Sequence, residues 1–266
     1  FLAILGISDV SIIVRRGIRG KLFPFSIPDY LSFYNHKVSK VIALSKAIEG
    51  DLLASLFFNE KKCTQIYQGI DVSNNFLDTS QVRSKFSVEK DSVLLITIAN
   101  DRNVKGLDRI LSTAKILLND AVNFTWVIFG KGTERFSTDY SQGNYQGKVI
   151  GLGHVSDATR YLKAADIYCQ PSREEGLSFS LAQAALAGCH CLISNVEAMK
   201  EIIKNPDVVL PNDENFPAVC SKKISEYSSS RSQNNLSITP NEDVSGMFSV
   251  KVFIEKTIAA LGLRHD

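Results

Sequence analysis

The chain has 266 residues, of which 44% are hydrophobic and 22% charged, with a net charge of +2. Those values exclude a disordered polymer and give no global reason to expect nucleic acid as a partner. No apolar run approaches the roughly 20 residues that would span a bilayer.

Phe1 is not an initiator methionine, and FLAILGISDV starts inside a helix-to-strand pattern without the basic leader or cleavage site of a signal peptide. Residues are therefore expected to precede it. Strands are predicted over residues 10–14, 40–44 and 64–67, with helices over 28–37 and 47–58. Gln68-Gly69-Ile70-Asp71 reads as a turn, and the Asn/Asp/Ser-rich stretch 73–84 as an inter-domain connection.

From Ser92 the alternation is cleaner. Strands are expected at 93–99, 124–129, 149–151, 167–169, 190–193 and 208–210, with helices at 107–119, 158–164, 177–187 and 198–204. Such alternation predicts a doubly wound α/β domain, a parallel sheet covered on both faces that binds ligands beyond the carboxyl ends of its strands. Residues 228–245 read as a polar loop, and Phe248, Val252, Phe253 and Ile258 give a final helix a narrow apolar face. The five cysteines contain no C-x-x-C pair and are expected as buried free thiols in a reducing compartment.

Three loops carry candidate chemistry. Residues 164–188, AADIYCQPSREEGLSFSLAQAALAG, run from a strand through a Pro-Ser break and a Glu-Glu-Gly turn into a helix. Unpaired N–H groups at such a helix start suit an anion, while Glu174 and Glu175 offer acceptors for hydroxyls. If the helix begins at Gly176 or Leu177, Glu175 caps it and Gln183 returns to nearly the same face. The bland alternative makes Glu175 only a cap and Gln183 a surface residue. Asn100-Asp101-Arg102-Asn103-Val104-Lys105-Gly106 also joins a strand to a helix, so Lys105 can reach a phosphate as a point charge or stand as a solvated lysine. Phe129-Gly130-Lys131-Gly132 is a glycine-rich turn, a ligand contact or plain loop punctuation.

Five segments in order resemble motifs of the group-1 (family 4) retaining glycosyltransferases of the GT-B type. Ile66-Tyr67-Gln68-Gly69-Ile70-Asp71 resembles I-P-N-G-V-D, Val104 to Asp108 resembles K-G-x-D, and Gly130 to Glu134 resembles G-x-G-P-E. Gly151 to Val155 resembles F-L-G-x-V, and Ala165 to Gly188 resembles the long A-D…P-S-x-x-E-G…E-A motif. The resemblance implies the C-terminal donor domain with a truncated N-terminal one. Residues 1–68 would be the acceptor-side remnant, 69–245 the donor domain, and 246–266 a helix returning toward the first.

What the resemblance implies for the site is specific. Lys105 pairs with the donor diphosphate, Glu175 holds the donor sugar, and Gly176, Leu177 and Ser178 offer backbone N–H groups. Ser172, Gly130, Asn100 and Arg102 join the donor contacts. Gln183 stands where the motif's second Glu binds the ribose, losing a charge but keeping a carbonyl acceptor. Asn100 stands where the family has Arg, with Arg102 nearby in sequence. The implied reaction is sugar transfer from a nucleoside-diphosphate sugar to a glycan or lipid-linked acceptor, with retention and assistance from the diphosphate itself. No cofactor is expected, and scattered histidines without an Asp-x-Asp motif give no metal spacing. The same resemblance implies polysaccharide assembly in the cytoplasm, with peripheral association at the inner face of the membrane. Alternatives are a non-catalytic nucleotide-sugar-binding module or inactive fragment, and a sugar-nucleotide epimerase of the same fold. Arg15, Arg16 and Arg19 read either as groups facing an anion or as a solvated basic loop.

Overall fold

The computed structural model describes residues 11–71, 75–138, 148–231 and 242–262. They form two compact units: one holds the chain up to Asp71, Glu175–Leu177 and the chain from Gly246, the other Val72–Glu174 and Ser178–Ser245.

The first unit contains a three-stranded parallel sheet, β1 (Ile12–Arg16), β2 (Val38–Ala43) and β3 (Cys63–Gln65), in that order. Helix α1 (Lys46–Leu53) starts where Ser45 Oγ accepts the Ile48 N–H at 3.2 Å, satisfying one of the unpaired first-turn donors. It buries Ile48 and Leu52 against Leu22, Val38, Val41 and Ala43. The helix expected at 28–37 is instead a single turn, Ile27–Asp29, running into a π-helical turn, Tyr30–Tyr34, that closes at Asn35. A C-terminal helix, Val250–Leu261, joins this unit: the Ile70 N–H donates to the Phe248 carbonyl at 2.9 Å, and the Tyr67 and Phe248 rings lie 5.6 Å apart.

The second unit holds six parallel strands. They are β4 (Val93–Ile98), β5 (Phe124–Phe129), β6 (Val149–Gly151), β7 (Ile167–Gln170), β8 (His190–Ser194) and β9 (Val209–Leu210). Their order is β6-β5-β4-β7-β8-β9, so the winding reverses between β4 and β7. Central strands read VLLITI and FTWVIF because both faces are covered, leaving no position for alternation with polar residues. Trp126, Phe124, Tyr168 and Leu95 are fully buried, each large side chain contributing about 1.5–3 kcal/mol.

Several expectations need correction. Residues 79–84, taken as connection, lie in helix α2 (Thr79–Lys85), because Asp78 accepts the Ser80 and Gln81 N–H groups as an N-cap. Arg83 of α2 reaches Asp166 at 3.0 Å, and Asp166 also accepts the Leu94 N–H at 2.8 Å, tying α2 to the starts of β4 and β7. The helix expected at 158–164 is present with those bounds as a 3-10 helix, whereas the helix expected at 198–204 is the single turn Glu197–Lys200. Most of the supposed loop at 228–245 is helical where it is described: a helix missed by the sequence reading, Phe216–Arg231, covers its start and Glu242–Met247 its end. Residues 232–241 lie outside the described residues, as do Val10, Ser73 and His265. The cysteines are free thiols, four of them buried and Cys63 half-buried.

Candidate functional site

Open parallel sheets place ligands at the carboxyl ends of the strands where the strand order reverses, because the two flanking loops diverge there and leave a crevice. In the second unit that point lies between β4 and β7. The loop after β4 carries Asn100, Arg102 and Lys105, and the loop after β7 carries Ser172. These four of the residues proposed from sequence thus fall on the two loops that flank the reversal, whereas Gly130 follows β5 and Gln183 lies within a later helix.

The β4 loop tightens into a 3-10 turn, Asn103–Lys105, closed by Gly106 in the left-handed region at φ 63°. Helix α3 (Asp108–Asn119) begins two residues later. A side chain on Gly106 would strike the Pro171 carbonyl, so the glycine permits both the turn and the close approach of the β7 loop. That approach is hydrogen-bonded. The Val104 carbonyl accepts the Arg173 N–H at 2.8 Å and the Glu174 N–H at 3.4 Å.

Side chains fasten the same two loops. Arg173 makes a two-pronged ion pair with Asp108 at 2.7 and 2.6 Å, and also donates to the Asn103 carbonyl at 2.8 Å. Those bonds hold the Asp108 carboxyl below its ordinary range and raise the Arg173 guanidinium. Beneath them, buried Arg109 donates to the Pro171 carbonyl at 3.1 Å and to Asn212 Oδ1 at 2.8 Å, with Phe216 under its guanidinium at 5.2 Å. Asn212 in turn donates to the Arg173 carbonyl at 3.0 Å. Burial lowers the Arg109 pKa, yet its acceptors keep the cation hydrogen-bonded.

Asn100 sits at the end of β4 and accepts the Lys131 N–H at 2.9 Å, which fixes the glycine-rich turn after β5. In that turn Gly130 adopts φ 146° against the Ala99 carbonyl, where any side chain would overlap. Arg102 is exposed and Lys105 half-buried. The third loop on this edge, after β6, carries exposed His154; the Gly130 N–H donates to the Gly153 carbonyl at 2.7 Å.

Helix α4 (Phe179–Leu186) starts later than the sequence suggested. Glu175 does not cap it; Ser178 does, its Oγ accepting the Leu181 N–H at 3.3 Å and donating to Gln170 Oε1 at 2.8 Å. Serine is the better cap here because its short hydroxyl reaches the first-turn N–H groups from an extended backbone (φ −97°, ψ 98°). Ser172 and Glu175 are buried, and Gln183 is half-buried on α4. Gly176 groups with the first unit, where its carbonyl accepts from Ser45 Oγ at 2.6 Å and Gly17 and Ile48 crowd it. Leu177 is buried in the same stretch.

Sequence reasoning overlooked Arg109, Arg173, Asn212 and the carboxylate of Asp108. Asp108 was visible inside the K-G-x-D segment, but its partner lies 65 residues away. Among the described residues no cluster of three or more His, Cys, Asp or Glu could hold a metal ion, and no helix is long and apolar enough to cross a membrane.

A family model described as "Glycosyl transferases group 1" matches residues 78–235, more than half of the chain. An uncharacterized glycosyltransferase of Methanocaldococcus jannaschii is 26% identical over 189 residues, which cover 66% of this chain and 47% of that protein. The O-antigen biosynthesis glycosyltransferase WclY of Escherichia coli is 23% identical over 167 residues, covering 58% and 46%. The chain thus spans about half the length of these curated relatives. Among solved structures, Anabaena HepE in complex with UDP and glucose superposes with a TM-score of 0.73 at 16% identity, covering 95% of this chain and 71% of that one. That likeness concerns the fold, and the fold is the α/β, GT-B type expected from the sequence.

Proposed function

Because the chain belongs to the group 1 glycosyl transferases, we propose that it binds a nucleoside-diphosphate sugar and transfers the sugar to an acceptor hydroxyl with retention of configuration. The observation that carries this reading is the locking of the Lys105 turn onto the loop after β7, through the Val104 carbonyl and the Arg173–Asp108 pair. A cation and backbone N–H groups that bind a diphosphate stabilise the charge that grows on it as the leaving group departs.

In this reading Lys105 neutralises the diphosphate, with Gly176, Leu177 and Ser178 supplying N–H donors. Glu175 orients the sugar hydroxyls, and Gln183 accepts from a ribose hydroxyl. Gly130 lines the nucleotide, and Ser172 braces the loop. The protein offers no carboxylate nucleophile in this scheme, so the acceptor attacks on the face the diphosphate leaves, which takes up the acceptor's proton. No metal or cofactor is required. UDP in the fold neighbour HepE and the O-antigen biosynthesis named for WclY support a nucleotide-sugar donor and a glycan or lipid-linked acceptor. Residues 1–68 would serve the acceptor, 69–245 the donor, and the working place would be the cytoplasm.

One observation favours a second reading, a nucleotide-sugar-binding module that does not turn over. Asn100 replaces the cation of the resembling motif, and its amide oxygen is already bonded to the Lys131 N–H. Titration of the full-length protein with nucleoside diphosphates, followed by a transfer assay, separates the two. Binding with Lys105→Ala weakening it about tenfold or more supports the site, since a charge-assisted bond is worth roughly 1.5–3 kcal/mol. Binding without transfer to any acceptor selects the module, and unchanged affinity in Lys105→Ala removes the site altogether.

A further inference from the structure

Strand β7 ends on a residue that its surroundings do not call for. It reads IYCQ and lies between β4 and β8, and Gln170 is only 2% exposed, whereas β4 and β5 end in Ile98 and Phe129. A primary amide brings two donor hydrogens and two acceptor lone pairs into such a place, and leaving them unpaired there is costly. The amide oxygen accepts the Tyr168 hydroxyl at 3.1 Å and the Ser178 hydroxyl at 2.8 Å, while Nε2 donates to Ser172 Oγ at 3.4 Å. Tyr168 stands two residues back on the same face of the strand. Tyr168, Ser172 and Ser178 are all buried. One side chain therefore spans the loop after β7, bonded near its start at Ser172 and at its end at Ser178.

The bond to Ser178 controls a helix start. Because the Ser178 hydrogen is committed to Gln170, the lone pairs of Oγ face the Leu181 N–H at 3.3 Å and cap α4. Ser180 Oγ lies 3.4 Å from the same oxygen and is the alternative acceptor if the amide is removed. The first intrahelical bond runs from the Ala182 N–H to the Ser178 carbonyl, so the Phe179 and Ser180 N–H groups belong to the first turn that has no helical acceptor. In the donor-site reading Ser178 also offers its own N–H to the diphosphate. Donors already fixed in direction bind developing charge better than donors that must first be ordered.

We propose that Gln170 is a positioning residue for the donor diphosphate, acting through the Ser178 hydroxyl to orient the first turn of α4; the inference rests on the donor-site reading. The full-length protein is titrated with UDP, GDP, ADP and dTDP, and the tightest of these is compared with its own nucleoside. Gln170→Met keeps about the same length and loses the amide. It should lower affinity for the diphosphate about fivefold, as loss of one neutral hydrogen bond predicts, and leave affinity for the nucleoside unchanged. Ser178→Ala should show the same loss. The double variant should lose about fivefold in all, not the ~25-fold of two independent contacts. A purely structural role for the amide would lower both affinities together. Should Gln170→Met not fold, Gln170→Asn, which withdraws the amide by one methylene, is read in the same way. Wild-type diphosphate affinity in the folded variant, an equal loss for the nucleoside, or additive losses would overturn the inference. A wild type that binds none of the nucleotides removes the donor-site reading and this inference with it. Weakened binding in Lys105→Ala but not in Gln170→Met removes the inference alone.

Discussion

Arg173 grips Asp108 with two parallel N–H···O bonds of 2.7 and 2.6 Å, and thereby fastens the loop after β7 to the first turn of α3. The pair is partly solvated, with the Asp108 side chain 60% exposed, so its contribution to global stability is about 0.2–1 kcal/mol. Its larger effect is on loop position. Arg173→Ala should leave the melting temperature nearly unchanged while weakening nucleoside diphosphate binding about tenfold, or ~1.4 kcal/mol. Arg173→Lys keeps the charge but loses the fork and should recover only part of the affinity. Titration calorimetry on both variants decides it; equal affinities across the series would reduce the clamp to decoration.

Gly106 lies directly against the Pro171 carbonyl of the loop after β7. Its φ of 63° and the nearness of the Pro171 carbonyl leave no space for a Cβ. Gly106→Ala should destabilise the protein by about 1–3 kcal/mol and loosen donor binding further than Arg173→Ala does. Denaturant unfolding and the same titration would show it. A variant as stable as wild type would mean that the loops part without cost.

Arg109 holds the underside of the β7 loop from within the core. Replacing it by Met keeps most of the volume but strands the Pro171 carbonyl and the Asn212 amide oxygen. The expected cost is about 2–3 kcal/mol, because unpaired buried acceptors lose their solvation without return. Chemical denaturation measures it, and a loss below half a kcal/mol would indicate that water fills in.

His190 supplies the pH dependence. Burial, aided by the nearby Lys223 cation, lowers its pKa beneath the ordinary 6.5. Above 6.5 the imidazole is neutral in folded and unfolded chains alike. Below it the unfolded chain takes up a proton that the native one resists, so stability falls with pH until the lowered native value is passed. His190→Phe, stacked in the same place against Tyr227, should flatten the melting curve across that interval. An unaltered slope would assign the acid loss to carboxylates such as Asp108, whose lowered pKa acts in the same direction nearer pH 3.8.

The alternation of buried runs with helical periods made the second unit readable, since a strand covered on both faces has to be apolar throughout. Helix Phe216–Arg231 escaped because its serines conceal the stripe. Phe216, Cys220, Ile224 and Tyr227 recur at helical spacing and are all buried, yet the residues between them are those of a loop. At residues 73–84 the error ran the same way, with Asp78-Thr79-Ser80 taken for a linker when it is a cap and a first turn. Polar composition alone does not distinguish a helix start from a connection.

From the sequence came the class of fold, the family motifs and the loops at which Lys105, Ser172 and Glu175 would stand. These are local properties: hydrophobic period, glycine at tight turns and residue order within a motif. Which residues hold those loops together was decided by tertiary structure. Arg173 meets Asp108 across 65 positions and Arg109 meets Asn212 across 103, because a parallel sheet delivers the loops after its strands to one edge and the reversal of winding sets β4 beside β7. A hydrogen bond depends on distance in space, and strand order fixes that distance where sequence spacing does not.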